Sequence, residues 1–278
     1  VTGVQTCALP IWNAARIPLK RVPEEAIEKM YSRFNTQKIP AGITRLKPDE
    51  LDTIWYKKMD ITNKYKAIEV IGDIHGCFTA LNTYFTEFPY NEDTLYVFVG
   101  DFIDRGIEND KVVNFMLEIY KKPNVICIEG NHERWLWLWA NSKEFELYTK
   151  PQLEEAKVDK KEVRQFYRKL SQCCWFEFNG KEIFISHAGI ASIPNQISFM
   201  ATDQLIRGVG NYNDFEVIAE TWKNIEDDNH IQVYGHRNTK SLPIKINDQV
   251  YNLEGKIEFG GELRAVHMQL ILHQIQFY

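Results

Sequence analysis

Five short clusters carry side chains able to bind metal ions and move protons. They are Gly72-Asp73-Ile74-His75-Gly76, Gly100-Asp101-Phe102-Ile103-Asp104-Arg105-Gly106, Gly130-Asn131-His132-Glu133, Ser186-His187-Ala188-Gly189 and Gly235-His236. Together they supply Asp73, His75, Asp101, Asp104, Asn131, His132, His187 and His236. Carboxylate oxygen combined with imidazole nitrogen suits Mn, Fe, Zn, Ni or Co better than Ca or Mg. The donors are too many for one ion. Two ions about 3.5–4 Å apart, sharing one bridging carboxylate, would use them, and such a pair lowers the pKa of bound water enough to make it a nucleophile near neutral pH. Arg105 adds a planar fork that matches phosphate oxygens. The glycines that frame each cluster allow tight turns and a close backbone approach to an anion.

Each cluster follows an apolar run. Lys66–Ile71, Thr94–Val99, Asn124–Ile128, Lys181–Ile185 and His230–Tyr234 read as strands, and Ala80–Phe88 and Val112–Tyr120 as helices. Strands alternating with helices predict an α/β fold. Every polar cluster then sits at the carboxyl end of a strand, the edge where open α/β sheets bind ligands. The tail, Val250–Tyr278, reads as short strands with turns at Glu254-Gly255 and Gly260-Gly261. Joined to the fifth strand it is expected to build a second sheet, giving a two-sheet β-sandwich flanked by helices. Pro151–Cys174 carries Val163, Phe166, Tyr167 and Leu170 at helical spacing. An amphipathic helix able to cap the site is expected there.

The order GDIHG, GDFIDRG, GNHE, SHAG, GH closely resembles the calcineurin-like metallophosphoesterase superfamily, and within it the phosphoprotein-phosphatase-like branch. The likeness runs from about Ala67 to His236. Any one piece is weak, but five in family order are specific. The resemblance implies that Asp73, His75 and Asp101 bind a first metal and that Asp101 bridges to a second, completed by Asn131, His187 and His236. It implies His132 as general acid, oriented by Asp104, with Arg105 on the phosphate, where Asn131 would also meet substrate. Manganese is the expected metal.

Other residues carry two readings. Arg134 could reach the phosphate or form a surface ion pair. Arg207, in Leu205-Ile206-Arg207-Gly208, stands where relatives often place a second phosphate-binding arginine. Trp135, Trp137 and Trp139 are expected in the core more often than stacked on a base. His230, His267 and His273 read as structural, and Cys77 as a packing residue.

FGGELRAV, Phe259–Val266, resembles the ending of bacterial polynucleotide kinase-phosphatase modules and of related dinucleoside tetraphosphatases. A DTG usually precedes it, where this chain has Asn252-Leu253-Glu254-Gly255, so Glu254 is the candidate replacement for the usual acid. The usual GHT is Gly235-His236-Arg237 here. The substrates implied are RNA or DNA ends bearing 2′- or 3′-phosphates; the alternative enzymes are a symmetrical diadenosine tetraphosphatase and a protein serine/threonine phosphatase. A catalytically silent binding module of the same fold is the non-enzymatic alternative.

Val1–Trp12 resembles translated adapter sequence and is set aside. Arg16, Lys20 and Arg21 then precede Val22-Pro23 and a helical stretch from Glu24 to Phe34. This segment resembles the end of a P-loop kinase, which would place a kinase domain upstream. A plain N-terminal helix is the other reading. The expected divisions are residues 1–12, 13–62 and 63–278.

The 278 residues are 44% hydrophobic and 26% charged, enough for a sizeable core. The net charge of −5 argues against a broad basic grip on duplex nucleic acid. No apolar run is long enough to span a membrane. Five cysteines without a CxxC pair read as reduced thiols, which points to the cytoplasm.

Overall fold

The computed structural model describes residues 22–36, 38, 58–143, 149–191, 197, 200–223, 229–239, 241–269 and 275–277. The chain forms two units, Val1–Tyr56 and Lys57–Tyr278. The adapter-like residues 1–12 lie outside the described residues, as do Arg16, Lys20, Arg21 and His273. In the first unit, helix α1 spans Glu24–Thr36, with Glu24 and Glu25 in its first turn and Arg33 in its last. Both ends suit the helix dipole.

The second unit holds the five clusters. Its strands are β1 (Met59–Asp60), β2 (Ala67–Ile71), β3 (Thr94–Phe98), β4 (Val125–Cys127), β5 (Cys173–Phe178), β6 (Lys181–Ser186), β7 (His230–Tyr234), β8 (Lys245–Asn247), β9 (Val250–Asn252), β10 (Ala265–Gln269) and β11 (Ile275–Phe277). Its helices are α2 (Phe78–Glu87), α3 (Asn109–Ile119), α4 (Glu133–Ala140), α5 (Lys150–Glu155), α6 (Lys160–Tyr167), α7 (Thr202–Ile206) and α8 (Phe215–Lys223). One sheet has the order β11-β10-β2-β3-β4 and the other β1-β5-β6-β7-β9-β8.

The pleat decides the layers. Alternate residues of a strand face opposite sides of its sheet. Ile68, Val70, Leu95 and Val97 face the second sheet and pack with Phe176, Ile183, Ile185, Ile231 and Val233 in one buried cluster. Ile71, Tyr96 and Phe98 face the other way and pack with residues of α2, α3, α4, α5 and α6. Phe184, Tyr234 and Val250 cover the outer face of the second sheet with Leu205, Ile218 and Trp222. The result is the expected α/β sandwich of two sheets between helices.

Within each sheet the parallel strands fix the site. β2, β3 and β4 run parallel, with Ile71 beside Phe98 and Phe98 beside Cys127. Their carboxyl ends are therefore level, and the three loops that follow leave from one rim. β6 and β7 are also parallel, and the His187 loop joins the same rim, because His187 Nδ1 lies 2.9 Å from the Val99 carbonyl.

Two expectations need correction. The tail does not stay with the second sheet: β9 joins it beside β7, but β10 pairs antiparallel with β2, and β11 pairs with β10. Growth of the first sheet through β2, β3 and β4 leaves one edge of β2 open, and a returning strand covers it. The segment from Pro151 to Cys174 is not one capping helix. It forms α5 and α6, which bury Leu153, Val163 and Phe166 against α3 and α4. An apolar stripe gains more from burial in the core than from lying over a polar site. Among the described residues, no helix is long and apolar enough to cross a membrane.

Candidate active site

The loops after β2 and β3 are held open by unusual backbone. His75, Asp101, Asp104, Arg105 and His236 all have positive φ, between 46° and 73°. Such conformations cost about 1–3 kcal/mol each in a non-glycine residue and cluster at functional sites. Gly235 shows how tightly the loops close: a β-carbon there would lie 1.9 Å from Asp73 Oδ1.

Asp101 is the hub. Its Oδ2 lies 3.2 Å from His187 Nε2, 3.6 Å from His75 Nε2 and 3.9 Å from His132 Nε2. Its Oδ1 accepts from the His132 N–H at 3.0 Å. The Asp73 carboxylate accepts from the His236 N–H at 3.0 Å, which brings the fifth loop to the first. Asn131 Oδ1 is 3.3 Å from His187 Nε2. The ligand atoms of Asp73, His75 and Glu254 lie within 4.8 Å of one another, as do those of Asp101, His187 and His236, and those of His75, Asp101 and His132.

These donors fit a pair of divalent ions. His75 Nδ1 faces the Ile103 carbonyl at 3.1 Å and His187 Nδ1 faces the Val99 carbonyl. A carbonyl only accepts, so each Nδ1 carries the proton and each Nε2 turns its lone pair to the centre. Backbone partners of this kind fix the tautomer of metal-binding histidines. The acids point the same way. Burial raises the Asp73 carboxyl well above its ordinary range, and the nearby Glu254 and Asp101 raise it further. Asp101 moves oppositely: burial resists, but His187 first, then His132 and His75, hold it well below that range. Glu258 adds another buried carboxylate, whose Oε2 has no hydrogen-bond partner. Buried like charges at this density call for cations.

The His132–Asp104 pair stands beside the hub. His132 Nδ1 meets Asp104 Oδ2 at 2.7 Å. Burial lowers the imidazole's pKa, but Asp104 and Asp101 outweigh it and the net shift is upward. Thr149 donates its hydroxyl to Asp104 Oδ1, and the Asp104 N–H donates to Asn109 Oδ1 at 2.7 Å. Burial, and then the neighbouring His187, take His236 down to about 3. His236 therefore stays neutral and able to ligate. Cys77 is pushed up to about 11 by burial, which suits a packing residue rather than a nucleophile.

The arginines separate. Arg105 reaches the centre, with NH1 3.1 Å from His75 Nε2 and 2.7 Å from Glu258 Oε1. Arg134 is exposed on α4. The Arg207 side chain is 56% exposed, with its Nε 3.8 Å from Asp203, while its carbonyl accepts from Arg237. Arg237, which replaces the threonine of GHT, is buried and donates to the carbonyls of Arg207, Val209 and Asn211. It braces the loop after α7. Trp139 is buried, Trp137 stacks on Tyr167 at 4.9 Å, and Trp135 is exposed. His230 and His267 pair with Glu182 and Glu69.

Sequence reasoning missed three contributors. Glu133 accepts from the N–H groups of Asp101, Phe102 and Gly130. It stood in plain view as the last letter of GNHE. Glu258, 1% exposed, is recognisable only by its place just before Phe259-Gly260-Gly261. Tyr212 donates to the His236 carbonyl at 2.6 Å and sets its ring edge-on to that imidazole. No motif marks it.

The profile of calcineurin-like phosphoesterases matches residues 67–267, which contain all five clusters. The chain belongs to that family. A Bacillus subtilis relative named Bis(5'-nucleosyl)-tetraphosphatase PrpE [asymmetrical] is 28% identical over 71% of this chain and 88% of its own. Serine/threonine-protein phosphatase 2 of Salmonella typhimurium is 41% identical, but over only 25% of this chain and 30% of its own. Among solved structures, a putative diadenosine tetraphosphatase superposes with a TM-score of 0.57 at 16% identity, covering 79% of this chain and 96% of that one. A Saccharomyces cerevisiae protein serine/threonine phosphatase gives 0.54 at 16% identity, covering 92% and 95%. These likenesses support the fold. The phosphoesterase is thus a metal-dependent phosphoester hydrolase with a candidate ligand cluster on the rim of its sheets.

Proposed function

We propose that this phosphoesterase binds two divalent ions and hydrolyses phosphoesters of nucleosides, with dinucleoside polyphosphates foremost. The observation that supports the two-ion reading is that Asp101 shares ligand triads with His75 and His132 and with His187 and His236, next to a third triad of Asp73, His75 and Glu254. Asp73, His75, Asp101 and Glu254 would hold one ion, and Asp101, Asn131, His187 and His236 the other. The donor set accepts Mn, Fe, Zn, Ni or Co, with Mn the first to try. Bound ions supply Lewis-acid charge and an activated water. The protein does the rest. Arg105 grips the phosphate once its fork leaves Glu258, and neutralises charge that builds on the equatorial oxygens. His132, kept protonated by Asp104, gives its Nε2 proton to the leaving oxygen. Asn131 is placed to meet a phosphate oxygen, and Arg134 and Arg207 are the outlying candidates for further phosphates.

The tetraphosphatase relatives favour the dinucleoside substrate, because the likeness spans most of each chain. A second reading rests on residues 13–62, whose resemblance to a kinase end would make the enzyme the end-healing phosphatase of a nucleic-acid repair kinase-phosphatase. The test is competition. Purified protein with Mn²⁺ is offered diadenosine tetraphosphate, 3′-phosphorylated oligonucleotide and phosphoserine peptide. Preferred release of ATP and AMP from the first supports the dinucleoside reading and an asymmetric cut. Two ADP would mark a symmetric cut. Preference for oligonucleotide ends selects the repair reading, and preference for the peptide refutes both.

A further inference from the structure

The 3₁₀ turn Ile257–Phe259 joins two environments. Glu258 turns its side chain inward, 1% exposed, and holds Arg105. The next residue, Phe259, points outward and is 74% exposed. A lone exposed aromatic is ordinary. Phe259 differs because its ring lines a cavity of about 510 Å³, and because its neighbour grips the phosphate-binding arginine. That volume falls within the range of small-molecule sites.

The surroundings are chemically mixed. Lys256 lines the cavity, and its ammonium has the Thr239 carbonyl as a partner at 3.3 Å. Ser241 and the Gly260-Gly261 backbone form other parts of the wall. Gly260 has open space where a side chain would stand, so that flank of the turn is clear. Gly261, by contrast, packs its α-carbon closely: a β-carbon there would meet the Gly255 carbonyl at 2.0 Å. The turn is thus pinned on one side and open on the other, with an aromatic face, a cation and a hydroxyl around the opening. Glu262 and Arg264, paired with each other at 3.0 Å, complete the wall. An aromatic face for a base, a hydroxyl for a sugar and a cation for a phosphate are the groups a nucleoside phosphate uses.

We propose that this cavity is a nucleoside subsite, where Phe259 stacks on the base and Lys256 meets the phosphate chain that leads to Arg105. The inference deepens the proposed function, and rests on that reading for the phosphate held at Arg105. A free dinucleoside polyphosphate and the end of a nucleic acid present the same nucleoside chemistry.

The test is calorimetric titration of the Mn²⁺-loaded full chain with AMP, 3′-AMP, ribose 5-phosphate and phosphotyrosine, comparing wild type with Phe259→Ala and Phe259→Trp. Loss of base stacking predicts that the preference for AMP over ribose 5-phosphate, about tenfold in wild type, collapses toward one in the alanine variant. Tryptophan should retain it. Stronger binding of AMP than 3′-AMP points to dinucleoside polyphosphates, and the reverse to nucleic-acid ends. An unchanged preference in Phe259→Ala overturns the subsite, as does a loss of phosphotyrosine binding while AMP is unaffected. Hydrolysis of diadenosine tetraphosphate is measured alongside. If it proceeds while the preference ignores Phe259, the subsite falls and the substrate reading stands. If no nucleotide ester is cleaved yet the preference collapses, the substrate reading falls and the subsite stands.

Discussion

Replacing Glu133 with glutamine should damage this enzyme without touching a metal ligand. Glu133 is fully buried, and its two oxygens have divided duties. Oε2 accepts from the Gly130 N–H at 2.7 Å and the Asp101 N–H at 2.9 Å, while Oε1 accepts from the Phe102 N–H at 2.9 Å. One carboxylate thereby ties the loop after β3 to the loop after β4 at Asp101, the residue proposed to bridge the two ions. Glutamine offers one carbonyl oxygen. It can replace Oε2 and keep two bonds, but its amide then faces the Phe102 N–H, donor against donor.

Burial, and then Asp101, push the Glu133 carboxyl up to about 7, so the comparison is made at pH 8, where it is ionised. A hydrogen bond to a charged group contributes about 1.5–3 kcal/mol, and a buried donor left unsatisfied costs about 1–3 kcal/mol. A net loss of roughly 2 kcal/mol corresponds to a Tm lower by about 6 °C for a domain of this size. Alanine loses all three hydrogen bonds and leaves a void, so it should cost more, roughly 3–5 kcal/mol. Thermal melts and Mn²⁺ titrations of wild type, Glu133→Gln and Glu133→Ala test the order. The kinetic companion is a kcat loss in Glu133→Gln on any substrate the enzyme accepts, since a shifted Asp101 misplaces both ions at once. A Glu133→Gln protein with wild-type Tm, Mn²⁺ affinity and kcat would refute the reasoning. So would an alanine variant no worse than the glutamine one.

Removing the ions with a chelator should lower Tm by about 20 °C if each of the two were held near a thousandfold above its Kd, and Asp101→Asn should show little further response to chelator while losing activity on the order of 10³-fold or more; an unchanged melt on chelation would contradict a two-ion site. The metal-free protein should also show a pH-dependent contribution from His132. Its pKa is raised in the fold, so that contribution is complete below the unfolded value of about 6.5 and is lost as pH rises through the folded one. The Tm gap between wild type and Asp104→Asn, measured in chelator, should therefore narrow with rising pH, and a gap that widens would reverse the assigned sign. Glu258→Gln weakens the hold on Arg105 and should lower the inhibition constant for inorganic phosphate several-fold, read by competition against a chromogenic phosphate ester; a rise in that constant would mean that Glu258 aims the guanidinium rather than occupying it.

Five clusters were legible in the sequence because each follows directly on a buried strand, so local order already carries the geometry. Parallel strands bring their ends level, and the register that sets Ile71 beside Phe98 and Phe98 beside Cys127 makes neighbours of loops far apart in the chain. The tail was less legible for a physical reason. Period-two patterning tells which face of a strand is buried but not which sheet edge it will pair with. β9 and β10 carry similar apolar patterns, yet one adds to β7 and the other covers β2. The amphipathic stretch ending at Cys174 failed differently. Its stripe was read correctly, but a stripe does not name the surface it buries against, and Val163 and Phe166 found the outer core rather than the site. Glu258 marks the limit most sharply. Nothing local distinguishes it from an exposed turn glutamate, and only the return of the chain to the open edge of β2 carries the preceding turn to Arg105, 153 positions earlier in the sequence. Glu254 and Glu258, which the tail brings beside the rim, are thus the part of the site least able to announce itself, because that tail's pairing is settled only in three dimensions.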